Sequence, residues 1–250
     1  MQEARVEIAS DEQDLARRMV RLFIRAADQA VGARGSFRTA FSGGRTPELF
    51  FRRLAAEPKA VPWARTHVFW VDERYVPPDS PASNYRLAAE TLLSHVDIPP
   101  TQVYRIPTEH RLASDAARAY DRTIREAFGL PEGQTPQFDQ ILLGMGSDGH
   151  TASLFPGCPL ECDADDLACV VRPGAGIQPQ ALRITLTPPV LLAARSLVVL
   201  VSGREKARTL REVLMGESDE ARHPIRMLWP VLDRITWLVD REAAAEIGEA

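Results

Sequence analysis

The feature that most constrains this 250-residue chain is a set of short stretches that are apolar at every position. The clearest are ILL at residues 141–143 and LVVLV at residues 197–201. A strand with one face in water alternates apolar and polar residues, whereas a strand covered on both faces is apolar throughout. These stretches therefore predict buried strands of a parallel sheet that has helices packed on both of its faces.

Segments with helical spacing separate the predicted strands. Ser10 and Asp11 have the pattern of a helix N-cap, and apolar residues then recur three and four positions apart. Further helices are expected to begin near Pro47 and Asn84 and to cover residues 114–128, 186–194 and 205–215. Strands are expected within residues 37–41, 66–73, 103–107, 139–146, 168–172, 181–187, 196–203 and 234–240. This alternation predicts an open, doubly wound, mainly parallel α/β sheet in one domain spanning residues 1–250.

The composition excludes several classes of partner. The formal net charge is −4 and there is no basic stripe or tail, so we expect no nucleic-acid partner. No stretch approaches the roughly 18 apolar residues that span a bilayer, so we expect no membrane partner. The first residues contain no apolar run and do not resemble a secretory signal. Nothing in the sequence sets the oligomeric state, and a monomer is compatible with it.

The cysteines indicate a reducing compartment, and we expect a cytoplasmic protein. Cys158, Cys162 and Cys169 are odd in number, which argues against a disulfide framework in a chain of this length. The spacing of Cys158 and Cys162 is also that of a possible metal-binding pair. No second such pair and no nearby pair of histidines completes a tetrahedral site, so we expect no metal.

Small and charged residues follow the predicted strands, where open α/β sheets bind ligands. In FSGGRTP, residues 41–47, Gly43 and Gly44 let a ligand approach the backbone. The helix that follows offers unpaired N–H groups to an anion, and Arg45 and Thr46 add side-chain donors. The segment is equally compatible with an ordinary strand-to-helix turn.

Three further exits carry charged residues. Asp72 could act as a base or orient a basic partner, and the planar guanidinium of Arg74 suits a phosphate. Considered alone, this segment is better explained by a surface salt bridge with Asn84 capping a helix. Arg183 and Lys206 are single cations, but Lys206 opens a predicted helix after a glycine turn, which favours a phosphate contact.

The stretch LGMGSDGH, residues 143–150, follows a buried strand and has two interpretations. Gly144, Gly146 and Gly149 match the GxGxxG dinucleotide fingerprint, but that motif also needs a helix and a second strand ending in an acid. The next predicted strand ends in Arg172, and Pro156 shortens any helix. We favour a general base, His150, supported by Asp148. The other four histidines are assigned no role.

Together these motifs resemble the 6-phosphogluconolactonases of the pentose phosphate pathway. They are, in chain order, SGGRTP, DERYVP with SNY, LGMGSDGHTASLFPG, RITLT and SGREKA, and they span nearly the whole chain. The wider superfamily includes glucosamine-6-phosphate deaminases/isomerases, which share the SGG-x-TP turn, the Asp-Glu pair and the Asp-Gly-His. In those deaminases a glutamate typically stands where this chain has Phe155, so the resemblance favours the lactonases.

The resemblance implies hydrolysis of 6-phospho-D-glucono-1,5-lactone without a cofactor. His150 would activate water with the support of Asp148, and backbone N–H groups of residues 144–149 would stabilise the oxyanion. The phosphate end would use Gly43, Gly44, Arg45, Thr46, Arg74, Arg183 and Lys206. Asp72 would orient a ligand hydroxyl or Arg74. A deaminase/isomerase and a non-catalytic sugar-phosphate sensor remain the alternatives.

Overall fold

The computed structural model describes residues 4–161, 163–217 and 219–248, which form two sheets and the helices around them. The strands in this part of the chain are β1 (Arg5–Ala9), β2 (Phe37–Phe41), β3 (Thr66–Trp70), β4 (Asp72–Arg74), β5 (Val103–Tyr104), β6 (Gln140–Gly144), β7 (Leu160–Glu161), β8 (Ala168–Val171), β9 (Arg183–Leu186), β10 (Leu197–Val201) and β11 (Ile235–Asp240). The α-helices are α1 (Glu12–Arg34), α2 (Arg45–Ala55), α3 (Asn84–Thr91), α4 (Ala113–Phe128), α5 (Pro188–Ala193) and α6 (Ala207–Met215).

The larger sheet has seven strands in the order β1-β11-β10-β6-β2-β3-β5, and every neighbouring pair is parallel. Its central strands are the continuous apolar runs of the sequence, and all residues of β10 and β11 are buried. Helices cover both faces, as the burial of these strands requires. The predicted doubly wound, mainly parallel fold is confirmed.

The strand order places a ligand site near the middle of this sheet. From β2 the chain builds outward through β3 and β5, and it then returns to β6 on the other side of β2. The connections after β2 and β6 therefore separate at their carboxyl ends, and such a switch point leaves a crevice in open α/β sheets. The glycine turns at residues 42–44 and 144–149 both lie at this crevice.

The smaller sheet was not predicted. It is antiparallel, in the order β4-β9-β8-β7. The predicted strand over residues 66–73 divides at Val71, whose N–H donates to Phe41 O (2.9 Å) and whose carbonyl accepts from Leu186 N (2.7 Å). The apolar run ends at this corner, and the three charged residues of β4 carry no hydropathy signal for a strand of a second sheet.

Other differences lie at the edges of elements. β1 escaped prediction because its alternating residues pair only with β11 and stay partly exposed. The predicted helix over residues 205–215 is a 3₁₀ turn, Arg204–Lys206, followed by α6. The N-cap of α1 is Asp11, as expected, because its carboxylate accepts from Asp14 N at 2.7 Å.

Tyr120 ties α4 to the corner between the two sheets. Its side chain is fully buried, and its hydroxyl donates to Trp70 O (2.7 Å) and accepts from Trp70 N (2.9 Å). Trp70 is the last residue of β3. One hydroxyl therefore satisfies both backbone groups at the point where the ladder of the larger sheet stops.

We expect Tyr120→Phe to lower the free energy of unfolding by about 2 to 3 kcal/mol, because it leaves a buried N–H and a buried carbonyl unpaired. Urea denaturation measures the change. Tyr75→Phe is the control, since the Tyr75 hydroxyl bonds to His110 O at the surface and its loss should cost about 0.5 kcal/mol or less. Equal losses in the two variants would contradict this account of the corner.

Candidate active site

A cleft of about 480 Å³ opens at the carboxyl ends of the parallel strands, between the two sheets. Nine of the predicted site residues line it: Gly43, Gly44, Arg45, Thr46, Asp72, Arg74, His150, Arg183 and Lys206. Asp148 is not part of the lining but contacts His150 directly. The structure therefore brings together residues that lie up to 163 positions apart in the sequence, from Gly43 to Lys206.

His150 and Asp148 form a hydrogen-bonded pair. Nδ1 of His150 lies 2.5 Å from Oδ1 of Asp148, and the His150 N–H donates to the same oxygen at 3.1 Å. Burial acts to raise the pKa of Asp148, but the hydrogen bonds and charge of His150 outweigh it and hold that pKa below its ordinary value. An ionised carboxylate only accepts hydrogen bonds, so in the neutral imidazole Nδ1 carries the proton and Nε2 presents the lone pair.

The turn that carries this pair has no room for larger residues. A Cβ at Gly146 would lie 2.0 Å from Nδ1 of His150 and 2.4 Å from Oδ1 of Asp148. Gly146 N donates to His150 O (2.8 Å) and Gly149 N to Gly146 O (3.0 Å), so the predicted oxyanion site cannot use these two N–H groups. Residues 147–154 form turns rather than the helix that a dinucleotide fingerprint requires.

The end of the cleft that was predicted to bind phosphate includes the start of α2. Gly44 has φ of +114° at the N-cap, and the first N–H groups of the helix have no partner within it. Thr46 Oγ1 lies 2.7 Å from Ser202 Oγ, which joins this helix to the end of β10. The side chain of Arg45 is 82% exposed at the rim and pairs with Glu12 at 3.1 Å.

Two arginines face each other on the smaller sheet. Arg74 of β4 and Arg183 of β9 are directly opposite in the antiparallel register. Burial and then the neighbouring Arg74 lower the pKa of Arg183, while Asp72 and Glu73 act to raise it. Like charges directly opposite each other destabilise a sheet. A bound anion would offset the repulsion between these two arginines.

Lys206 approaches the cleft from the 3₁₀ turn after β10. Its Nζ donates to Met145 O at 2.9 Å. Burial lowers the pKa of the Lys206 ammonium, and the carboxylates of Glu205 and Asp148 act to raise it. The preceding turn is fixed by Asp240, whose carboxylate accepts from Gly203 N at 3.2 and 3.1 Å.

Asp72 and Glu73 have different surroundings, although they are adjacent. Asp72 lines the cleft, and its Oδ2 accepts from Ser153 Oγ at 2.7 Å. Glu73 is directed away from it and accepts four hydrogen bonds, from the backbone of Arg74, Asn84 and Tyr85 and from Ser83 Oγ. Burial raises the pKa of Glu73 against these bonds, which act to lower it. Glu73 therefore holds the start of α3 and takes no part in the cleft.

Several lining residues were given no role in the site by the sequence analysis, among them Ser42, Asn84 and Ser153. Asn84 donates to Asp72 O at 2.9 Å, and a Cβ on Gly43 would come within 1.9 Å of its Oδ1. The Oδ1 of Asn84 and the Oγ of Ser42 are buried, and neither has a hydrogen-bond partner among the residues that the structure describes. A buried polar atom without a partner at a cleft suits a ligand hydroxyl. No sequence pattern distinguishes these residues from ordinary turn and cap residues.

Neither a metal cluster nor a membrane helix is found in the described part of the chain. No group of three or more His, Cys, Asp or Glu residues within residues 4–161, 163–217 and 219–248 is placed to hold a metal ion. Cys162 lies outside these residues, so the question raised by its spacing from Cys158 is not tested. No helix of the same ranges is long and apolar enough to cross a membrane.

Comparison with known proteins identifies the family. The family model described as glucosamine-6-phosphate isomerases/6-phosphogluconolactonase matches residues 10–237. The chain belongs to this family. It is 37% identical to a 6-phosphogluconolactonase of Synechocystis over 242 residues, covering 97% of this chain and 98% of that protein. The resemblance predicted from the motifs is confirmed.

Two further relatives of the family agree with this assignment. A rat 6-phosphogluconolactonase is 38% identical over 248 residues, covering 96% of this chain and 92% of that protein. The crystal structure of 6-phosphogluconolactonase from Leishmania guyanensis superposes with a TM-score of 0.87 at 27% identity, covering 99% of this chain and 100% of the other.

Phe155 lies beside His150, at the position where the resemblance places a glutamate in the deaminases. Its ring lies 4.7 Å from the His150 ring and is almost fully buried. A phenyl group can neither take up a proton nor accept a hydrogen bond from imidazole. It therefore cannot replace the glutamate that the resemblance places here in the deaminases. It covers one face of His150 instead.

We expect Glu73→Gln to destabilise the protein by about 2 to 3 kcal/mol, because an amide group cannot accept all four hydrogen bonds and places an NH₂ against donors. Thermal and urea unfolding measure this. Glu90→Gln, on the helix α3 whose start Glu73 holds, is the control, since the Glu90 side chain pairs with Arg86 at the surface. A loss at Glu73 no larger than that at Glu90 would refute its structural role.

Proposed function

We propose that this protein hydrolyses 6-phospho-D-glucono-1,5-lactone to 6-phospho-D-gluconate, in the oxidative pentose phosphate pathway. The observation that carries the proposal is the His150–Asp148 pair, which shares one cleft with Arg74, Arg183 and Lys206. A base beside a cationic subsite fits a substrate with a reactive carbonyl at one end and a phosphate at the other. The names of the relatives support the same reaction.

His150 is the proposed general base. Its Nε2 takes a proton from water as the water oxygen attacks C1 of the lactone. Asp148 keeps the proton on Nδ1 and stabilises the imidazolium that forms, and its lowered pKa keeps it ionised while it does so. When the tetrahedral intermediate collapses, the bond from C1 to the ring oxygen breaks. That oxygen receives the proton from Nε2, and the new carboxylic acid loses its own proton to solvent.

The phosphate end supplies binding energy at a distance from the reacting carbon. A phosphate monoester carries about −1.5 to −2 charge near neutral pH. We assign it to Arg74, Arg183 and Lys206, with Gly43, Gly44 and Thr46 at the start of α2. Arg45 is added at the rim, where Glu12 already pairs with it. Holding the substrate at this end positions C1 against His150 and lowers the entropic barrier to attack.

Asp72 orients the substrate in this proposal. No proton moves at C2 during lactone hydrolysis, so no second base is needed. The carboxylate is fixed by Ser153, whereas the Arg74 side chain donates to Ala82 O at 2.7 Å. Asp72 is therefore assigned to bind a sugar hydroxyl and not to orient Arg74. Asn84 is assigned to the same end of the sugar.

We expect His150→Gln to lower kcat by about 10² to 10⁴, because it removes the base while leaving the phosphate subsite intact. The measurement is the decay of freshly generated 6-phosphogluconolactone against its spontaneous hydrolysis. His110→Gln, which changes an exposed histidine, is the control and should keep full activity. Undiminished turnover by the His150 variant would disprove the assignment of the base.

We expect Arg74→Met to raise KM about 10- to 100-fold with a smaller change in kcat, because a charge-assisted hydrogen bond to phosphate is worth about 1.5 to 3 kcal/mol. Steady-state kinetics on the same lactone measure both constants. Arg86→Met is the control, because Arg86 pairs with Glu90 outside the cleft. An unchanged KM in the Arg74 variant would remove it from the phosphate subsite.

The same assays distinguish the alternative functions. Ammonia release from glucosamine 6-phosphate without lactone hydrolysis would assign the cleft to the deaminases. Binding of 6-phosphogluconate without turnover of either substrate would support a sugar-phosphate sensor.

A further inference from the structure

The turn that carries His150 is fixed by hydrogen bonds to the carbonyl groups of every second residue from 145 to 149. Met145 O accepts from Lys206 Nζ at 2.9 Å and Ser147 O accepts from Thr209 Oγ1 at 2.6 Å. Gly149 O accepts from Ile225 N at 3.1 Å. Three hydrogen bonds therefore hold the backbone of residues 145–149, the turn that carries Asp148 and leads into His150.

All three donors belong to the segment that follows β10. Lys206 ends its 3₁₀ turn, Thr209 lies in the first turn of α6, and Ile225 lies in the 3₁₀ segment Pro224–Arg234. His223 closes this wall, because a Cβ on Gly149 would lie 2.5 Å from its Nδ1. The turn and the wall are therefore in close contact, and a shift of one displaces the other.

Thr209 lies in the first turn of α6, and its hydroxyl bonds outside that helix. Threonine hydroxyls in a helix commonly donate to the carbonyl four residues earlier in the same helix. Thr91 of α3 does so, to Leu87 O at 2.6 Å, and Thr123 of α4 does so, to Ala119 O at 3.0 Å. Thr209 donates across 62 residues to Ser147 O instead, from a buried position outside the cleft lining.

Ser147 is the neighbour of Asp148, so this bond acts on the catalytic pair. The turn is stiffened internally by the bond from Gly146 N to His150 O at 2.8 Å. A carbonyl that is held at residue 147 fixes the peptide unit from which Asp148 begins. The 2.5 Å contact between Asp148 and Nδ1 of His150 then depends on that peptide.

We propose that Thr209 is a positioning residue for His150, acting through the Ser147 carbonyl and not through the substrate. This inference rests on the proposed lactonase function. Loss of the hydroxyl frees the Ser147 carbonyl to rotate. The Asp148–His150 pair is then no longer held in the orientation that places Nε2 near C1. Misplacement of a catalytic group by a fraction of an ångström lowers the rate with little effect on binding.

The test compares Thr209→Val, which keeps the shape and removes the donor, with Thr209→Ser, which keeps the hydroxyl. We expect kcat for 6-phosphogluconolactone to fall about tenfold in the valine variant, with KM changed less than twofold. The serine variant should restore most of kcat. Equal kcat in the parent and valine variant, or no recovery with serine, would overturn the proposal.

Thr91→Val is the matched control, because Thr91 is also buried and its hydroxyl donates over the same 2.6 Å. It should lose similar stability and keep its kcat. Assays are run well below both unfolding midpoints, so that an unfolded fraction cannot imitate a fall in kcat. A kcat loss in Thr91→Val as large as that in Thr209→Val would mean that the effect is general destabilisation, and it would refute positioning.

A readout independent of turnover is the ¹⁵N NMR spectrum of the histidine rings. The shifts of His150 report which ring nitrogen holds the proton, and we expect them to change in Thr209→Val but not in Thr91→Val. If the valine variant does not fold, Thr209→Ala, which favours the helix, is used in its place. Unchanged His150 shifts would count against the proposal. Inactivity of the parent protein would instead refute the lactonase assignment, which separates the two failures.

Discussion

The two walls of the cleft meet at the backbone of Val71, and the site depends on this junction. Its N–H pairs with Phe41, which ends β2, and its carbonyl pairs with Leu186, which ends β9. The chain leaves the parallel sheet and enters the antiparallel one across a single residue. The glycine turn after Phe41 and the side chains of Asp72 and Arg74 are thereby fixed relative to one another without a flexible linker.

Hydropathy predicted the larger sheet because its central strands are buried on both faces. Such strands are apolar at every position, and this pattern can be recognised in the sequence. Hydropathy failed at residues 66–73, where the chain passes at Val71 into a second strand made of charged residues, and at β1, a partly exposed edge strand that contains charged residues. Which sheet a strand joins depends on hydrogen bonds between residues far apart in the chain, such as those of Val71. No local pattern carries that information.

Most of the predicted residues do line one cleft. They could be picked out because Gly, Asp, His and Lys stand out directly after apolar strands. Their supports could not. Ser153 and Thr209 are common residues, and their contacts with Asp72 and with Ser147 are visible only in the structure. Glu73 was grouped with Asp72 in the sequence, yet a strand turns adjacent side chains to opposite sides, so one lines the cleft and the other caps a helix.

The pairing of Arg74 with Arg183 on adjacent strands has a practical consequence. Their repulsion is relieved by any small dianion, so phosphate or sulfate in a buffer should bind here and raise the melting temperature by mass action. The same ions would compete with a phosphorylated ligand. Affinities measured in phosphate buffer would then describe an exchange of one anion for another, and only an uncharged or zwitterionic buffer would report binding to the empty cleft.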